Sequence, residues 1–147
     1  MSLSPLSSET LHATCVARDG RALLILGSSG SGKSDLALRL IDRGASLVSD
    51  DYTIVRRVDG RLLACAPQNI EGKIEIRGVG IVPLPSVRDV PVCLAIDLGR
   101  PASRMPQPDD ALILAGIRLP VIGLSGLEAS APIKAEWALD RLGTATG

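Results

Sequence analysis

Apolar and β-branched residues fill positions 10–18 and 21–27, and an Asp-Gly pair at 19–20 separates the two runs. Asp-Gly between two strand-like runs is typical of a tight β-hairpin turn. The pattern therefore predicts an antiparallel hairpin. Its second strand, "RALLILG", is apolar throughout, as expected for a strand buried on both faces.

A helical period follows this hairpin over residues 33–43. Leu36, Leu40 and Ile41 fall on one face of such a helix, which is the spacing of an amphipathic surface. Gly44 stands where a helix C-terminal cap belongs. The sequence predicts a helix that begins at Lys33 and ends next to Gly44.

Further strands surround this helix. The run "ASLVSDD" at 45–51 predicts a buried strand that ends in two acids, and residues 52–66 predict a second hairpin around an Asp-Gly turn. A doubly wound fold would alternate strands with helices, whereas here one helix lies among hairpins. We expect one α/β domain over residues 1–147 with a mixed, hairpin-rich sheet, preceded by a loose segment at 1–9.

The second half of the chain is less regular. Residues 67–91 contain four prolines, and the glycines within "KIEIRGVGIVPLP" indicate an irregular backbone there. Beyond this segment, the pattern predicts a strand at 91–98, a loop at 99–110, short strands at 111–114 and 118–124, and a helix at 130–142. Ser130 is the expected N-cap of that helix.

Composition narrows the class of protein. The 147 residues carry a formal net charge of zero and include one Trp, one Tyr and no Phe, so neither a basic surface nor aromatic stacking favours nucleic-acid binding. No apolar run reaches the roughly 18 residues of a spanning helix. The three cysteines are far apart and show no zinc spacing. These features predict a cytoplasmic protein without a membrane segment.

Residues 27–34 form the strongest motif in the chain. They read G-x-x-x-x-G-K-S between a predicted strand and a predicted helix, which is the context of a phosphate-binding loop. The backbone N–H groups of such a loop surround phosphate oxygens, the lysine reaches the β- and γ-phosphates, and the serine binds Mg²⁺. The predicted phosphate-binding residues are Gly27, Ser28, Ser29, Gly30, Ser31, Gly32, Lys33 and Ser34.

Asp50 and Asp51 lie 17 and 18 residues after Lys33, at the end of the predicted strand. A carboxylate at a strand end beside a phosphate loop can hold Mg²⁺ directly or through water. Two adjacent acids can also divide the work, with one at the metal and the other accepting a proton from an attacking hydroxyl. An exposed acidic turn is the alternative interpretation.

Four segments together closely resemble HPr kinase/phosphorylase. They are "LHA" (11–13), "GSSGSGKS" (27–34), "LVSDD" (47–51) and "IEIRGVGI" (74–81). The resemblance covers residues 8–140, which correspond to the catalytic domain of that family. The chain is similar to the short alpha-proteobacterial forms, which lack the usual N-terminal domain. The resemblance implies a fold related to phosphoenolpyruvate carboxykinase and an enzyme that phosphorylates a serine of HPr. In the reverse direction it would use inorganic phosphate to form pyrophosphate.

The resemblance also implies roles for individual residues. Ser34 and Glu75 would contact Mg²⁺, and Asp50 would be the acid/base residue. Asp51 would stand on the metal side, although the choice between the two adjacent acids stays open. The remaining active-site residues that it implies are His12, Lys33 and Arg104.

Partners are implied in the same way. The family resemblance implies a homo-oligomer, a hexamer, and contact with HPr near residues 130–140. Lys134 fits the basic character of that segment in the family, whereas Glu136 and Trp137 depart from it. Two other functions remain open: a phosphate-loop kinase of a small molecule, and a regulator that senses nucleotide without turnover.

Overall fold

The computed structural model describes residues 7–107 and 110–145. The strands are β1 (Ser8–Leu11), β2 (Ala13–Arg18), β3 (Arg21–Leu26), β4 (Ser46–Ser49), β5 (Thr53–Val58), β6 (Arg61–Cys65), β7 (Lys73–Ile76), β8 (Gly80–Pro83), β9 (Val90–Asp97), β10 (Ala111–Leu114) and β11 (Ile117–Gly123). The α-helices are α1 (Lys33–Asp42) and α2 (Ala131–Leu142), and a short 3-10 turn spans Gln68–Ile70.

Nine of the strands form one sheet, in which β1, β5, β6, β9, β3, β2 and β4 follow one another. The β10–β11 hairpin joins this sheet through β11, which pairs with β9. Strand β9 runs parallel to β3 and to β11, whereas the other pairs described in this sheet are antiparallel. The predicted mixed, hairpin-rich α/β fold is therefore confirmed.

Both predicted Asp-Gly hairpins are confirmed. Asp19 and Gly20 join β2 to β3 with φ angles of 54° and 76°, and Asp59 and Gly60 join β5 to β6 with φ angles of 51° and 76°. Positive φ at both central residues matches the right-handed twist of the flanking strands. This geometry fixes the hairpin that leads into the phosphate loop.

Strand β3 lies between two apolar cores. Leu23 and Ile25 pack in the core that α1 and α2 cover, while Ala22 and Leu24 pack in the core on the other side of the sheet. Alternate side chains of a strand point to opposite faces, so a strand covered on both sides must be apolar throughout. The apolar run of β3 has this cause, and its burial on both faces gives the phosphate loop a rigid base.

The strand predicted at 10–18 is divided into two at His12. Strand β1 pairs with β5, whereas β2 pairs with β3 and β4, so the chain changes neighbours at this residue. The expected loose segment at 1–9 is wrong for Ser8 and Glu9, because both pair with β5. Residues 1–6 of that segment lie outside the described residues.

The irregular segment predicted at 67–91 contains a regular hairpin. Strands β7 and β8 form a separate two-stranded sheet that pairs Lys73 with Pro83 and Ile76 with Gly80. Ile74 on β7 is fully buried in the core beneath α1. Ile76 and Val82 are partly buried against the same core, so apolar side chains anchor the hairpin, and its tip at residues 77–79 lines the same cleft as the phosphate loop.

Helix α2 begins next to Ser130, as predicted, although the Ser130 side chain makes no capping hydrogen bond. Its inner face packs through Ala135 and Leu139. Neither α1 nor α2, which have 10 and 12 residues, is long and apolar enough to span a membrane, and the described chain has no other α-helix.

Candidate active site

The phosphate loop connects the end of β3 to the start of α1. Gly32 is the N-cap of α1, and its carbonyl accepts the first helical hydrogen bond, from Leu36 N–H at 2.9 Å. Gly32 has a φ of 101°, a left-handed backbone conformation that favours glycine. The N–H groups of the first helical turn have no intrahelical partner and can bind an anion.

The Lys33 side chain is buried beneath this loop. Its ammonium group donates to the Gly27 carbonyl at 2.9 Å and to the Ser28 carbonyl at 3.2 Å. These contacts hold a positive charge next to the loop N–H groups, which suits the binding of a phosphate group there. Ser31 Oγ is also buried there and has no hydrogen-bond partner among the described residues, which fits a loop built to receive a polar ligand.

Asp50 connects three separate elements through its carboxylate. Oδ1 accepts hydrogen bonds from Ser34 Oγ at 2.6 Å and from Thr14 Oγ1 at 3.2 Å. Oδ2 accepts from the backbone N–H of Glu75 at 2.9 Å. Asp50 is only 6% exposed, and these donors on α1, β2 and β7 satisfy its buried charge.

Asp51 has a different environment. Its backbone adopts a left-handed conformation with a φ of 68°, which turns the residue away from its neighbour. The side chain is 57% exposed, and Oδ1 lies 2.8 Å from His12 Nε2. The His12 ring stacks on Tyr52 with ring centroids 5.2 Å apart. The two adjacent acids therefore differ: one is buried at Ser34, and the other is accessible and paired with His12.

A cleft of about 900 Å³ opens beside the phosphate loop. The loop and the first turns of α1 form one part of its lining, and the β7–β8 tip forms another. Asp50, Asp51 and Glu75 also line it. The cleft further exposes the apolar side chains of Val79, Ile81 and Leu127.

The oxygen donors of the cleft fit a magnesium ion in their chemistry. Ser34 Oγ and the carboxylates of Asp50 and Glu75 line the same cleft, and Mg²⁺ prefers such oxygen ligands. Within residues 7–107 and 110–145, no three His, Cys, Asp or Glu side chains are grouped closely enough to hold a metal. Mg²⁺ in nucleotide sites is commonly held by one or two carboxylates and by the phosphates themselves.

Most of the predicted site residues lie together at the cleft, and one does not. The structure brings together His12, Lys33, Ser34, the two acids and Glu75, but it does not bring Arg104 to the cleft. Arg104 lies on the exposed loop that follows β9 and is absent from the cleft lining. Sequence reasoning missed Thr14 and Tyr52, although both stand within two residues of a predicted site residue.

Comparisons with known proteins identify relatives of this chain. The family model described as HPr Serine kinase C-terminal domain matches residues 4–88. The chain is 43% identical over 83 residues to an HPr kinase/phosphorylase of Clostridium tetani, covering 56% of this chain and 27% of that protein. It is 45% identical over 78 residues to an HPr kinase/phosphorylase of Clostridium beijerinckii, covering 52% and 26%. The chain thus spans about a quarter of the length of these curated relatives.

A solved structure resembles nearly the whole chain. It is described as the Hpr(Ser) kinase/phosphatase from Coxiella burnetii, and it has 31% sequence identity and a TM-score of 0.76. The match covers 90% of this chain and 94% of that one. The likeness therefore includes most of the C-terminal residues that the family model leaves unmatched.

Proposed function

Because the chain belongs to the family of the HPr serine kinase C-terminal domain, we propose that it transfers the γ-phosphate of ATP to a serine of the phosphocarrier protein HPr. We also propose the reverse use of inorganic phosphate, which removes the phosphate from phosphoseryl-HPr and forms pyrophosphate. The names of the relatives support both directions.

One observation carries this proposal beyond family membership. Asp50 accepts a hydrogen bond from Ser34 of the phosphate loop and another from the Glu75 backbone, so a carboxylate joins the loop to the β7–β8 hairpin in one cleft. Asp51 lines that cleft and contacts His12. Nucleotide binding alone needs no accessible carboxylate at this position, whereas proton transfer from a hydroxyl uses an accessible base.

The contacts favour a division of labour opposite to the one predicted from sequence. A general base must be within reach of the attacking hydroxyl, and Asp51 is exposed toward the cleft. Asp50 is buried and hydrogen-bonded to Ser34, which suits a metal-side role. We therefore assign the proton transfer to Asp51, with His12 orienting its carboxylate, and metal binding to Ser34, Asp50 and Glu75.

In the kinase direction, the serine oxygen attacks the γ-phosphorus while its proton passes to Asp51. The bond from the γ-phosphorus to the bridging oxygen breaks, and ADP is released. The loop N–H groups and Lys33 stabilise the charge on the transferring group. Bound Mg²⁺ would supply further neutralisation of the phosphate oxygens.

The reverse direction can use the same groups. An oxygen of inorganic phosphate attacks the phosphorus of phosphoserine. Asp51 takes the proton of the attacking phosphate and delivers it to the departing serine oxygen. The products are pyrophosphate and unmodified HPr, so a single acid/base residue and a single phosphate loop serve both reactions.

The test uses the purified protein, Mg-ATP and HPr of the same organism. We expect phosphate on one serine of HPr, detected by mass spectrometry, and pyrophosphate release when phosphoseryl-HPr is mixed with inorganic phosphate. Tight ATP binding without transfer to HPr would instead indicate a nucleotide-sensing regulator. Transfer to a small molecule with HPr inert would indicate a small-molecule kinase.

Oligomerisation is part of the same proposal. The family resemblance implies a homohexamer, and light scattering of the purified protein measures it directly. A mass that corresponds to one chain of 15.3 kDa would contradict this assembly.

A further inference from the structure

Thr14 contacts both acids of the site. It is fully buried on β2, and its hydroxyl donates to Asp50 Oδ1 at 3.2 Å while accepting from the Asp51 backbone N–H at 3.1 Å. We infer that Thr14 is a positioning residue, which fixes Asp50 toward Ser34 and Asp51 toward His12. The inference rests on the proposed function, because it assigns Thr14 a part in the phosphate transfer.

The surroundings of Thr14 give no packing reason for a hydroxyl. Its strand neighbours Ala13, Cys15 and Val16 are buried and apolar. Valine has nearly the same shape and favours strands, so an apolar core would accept it at least as well. A buried hydroxyl is unfavourable unless it is hydrogen-bonded, and both hydrogen bonds of Thr14 go to the acid pair.

Asp51 needs this support because of its backbone. A φ of 68° is uncommon for a residue other than glycine and persists where surrounding contacts hold it. Thr14 accepts the amide N–H at that position. Without this acceptor the turn loses a contact that directs the Asp51 side chain toward His12, 2.8 Å away.

Loss of the hydroxyl should therefore affect the chemical step more than substrate binding. Asp50 keeps its hydrogen bonds from Ser34 Oγ and from the Glu75 backbone N–H when the Thr14 hydroxyl is lost, so the binding of Mg-ATP should persist, whereas the Asp51 amide loses its acceptor. Misplacement of a reacting group by about 1 Å can cost on the order of 100-fold in rate. The expected signature is a lower kcat with a nearly unchanged KM for Mg-ATP.

The experiment compares three variants with the wild-type enzyme. Thr14→Val removes the hydroxyl and keeps the shape, whereas Thr14→Ser keeps the hydroxyl. Thr53→Val is the matched control, because Thr53 is equally buried and its hydroxyl donates to the Ala13 carbonyl at 2.8 Å rather than to an acid. Thermal unfolding of each variant monitors folding.

We expect Thr14→Val to lower kcat by about 10- to 100-fold with the KM for Mg-ATP within about threefold of wild type. Thr14→Ser and Thr53→Val should stay within about threefold in kcat. Equal kcat values for Thr14→Val and Thr53→Val would overturn the inference, as would a failure of serine to restore the rate.

A second readout does not depend on HPr. His12 is the only histidine, so its ring protons give a single set of NMR signals that report its contact with Asp51. These signals should shift in Thr14→Val and return to the wild-type position in Thr14→Ser. Unshifted signals in Thr14→Val would contradict the positioning role. If the wild-type enzyme transfers no phosphate but these signals shift, the proposed function fails while the structural link stands.

Discussion

Acidic side chains accept hydrogen bonds in two regions of this molecule, the cleft and helix α2, and the donors differ between the two. In the cleft, Asp50 accepts from a serine, a threonine and a backbone N–H, and its neighbour Asp51 remains exposed. At α2, Glu136 receives three hydrogen bonds from Arg43, and the contacts raise the pKa of the Arg43 guanidinium, mainly through these bonds.

The difference lies in where the charges are compensated. Around α2, Arg18 and Arg21 neutralise Asp140 just as Arg43 neutralises Glu136, so the polar groups hold the helix on the sheet. In the cleft, two hydroxyl groups and a backbone N–H orient the Asp50 carboxylate without a cationic partner. Negative charge that is oriented but not neutralised can bind a cation or take a proton, whereas a closed ion pair is structural.

The largest effect on activity is expected when Asp50 and Asp51 are replaced one at a time. Asp51→Asn should lower kcat by about 10²–10⁴-fold, because it removes the proposed general base, while Mg-ATP binding stays close to wild type. Asp50→Asn should weaken Mg-dependent nucleotide binding as well, because its contact with Ser34 changes. Steady-state kinetics and isothermal titration calorimetry measure the two effects.

The reverse result would restore the division of labour predicted from sequence. Transfer that survives in Asp51→Asn but disappears in Asp50→Asn, with nucleotide binding intact, would make Asp50 the base. The comparison between a chemical region and a structural region would still hold.

Removal of the negative charge of Glu136 on α2 should lower the stability of the fold and leave kcat unchanged. Glu136→Gln keeps the shape but removes the charge that faces Arg43, so the melting temperature should fall by about 5 °C. Glu128→Gln is the control, since its ion pair with Lys134 is exposed and should contribute little. If fully folded Glu136→Gln had a lower kcat than the wild-type protein, the distinction between the structural ion pairs at α2 and the acids of the cleft would be wrong.

A smaller effect is expected from the core on the face of the sheet away from α1 and α2, which contains Cys15. Burial raises the pKa of the Cys15 thiol above its ordinary value, so the neutral thiol stabilises the folded state below about pH 8.5. Since the unfolded chain loses this proton more readily, that contribution declines as the pH rises above 8.5, by at most about 1.4 kcal/mol per pH unit. Urea unfolding at several pH values should show a shallower decline in Cys15→Ala.

The smallest effect should be seen at the outer face of α2. Trp137 is 59% exposed, and its ring contacts the Arg141 guanidinium at 5.1 Å. Trp137→Ser should change the free energy of unfolding by only about 0.5 kcal/mol and leave the KM for Mg-ATP unchanged. A higher KM for HPr in this variant would assign the face to partner docking, whereas a higher KM for Mg-ATP would contradict its separation from the cleft.

Local patterns account for the parts of the fold that sequence predicts well. The Asp-Gly turns, the apolar run of β3 and the period of α1 are each determined within about ten residues, so they can be recognised without tertiary contacts. The β7–β8 hairpin could not be recognised in this way. Its prolines and glycines suggested irregular structure, and the burial of Ile74 under α1 depends on residues about 40 positions away.

The division between the acids was also beyond local reasoning. Asp50 and Asp51 are adjacent residues of the same type. Their environments differ because Asp50 accepts hydrogen bonds from three elements that are distant in sequence, and because Asp51 has a positive φ. Arg104 is a residue that the sequence assigns to the site but whose position the sequence cannot predict. The family resemblance implies a role for it in the site, and in the structure its loop is exposed and Arg104 is not among the residues that line the cleft.

The Lys33 ammonium group has one more consequence. Two of its three N–H donors bind the Gly27 and Ser28 carbonyls, so the side chain cross-links the loop from within. The loop therefore reaches its curved shape during folding, and a phosphate need not order it on arrival. Since ordering lowers affinity when it accompanies binding, a loop that is rigid beforehand can capture a small anion such as inorganic phosphate, which offers few contacts of its own.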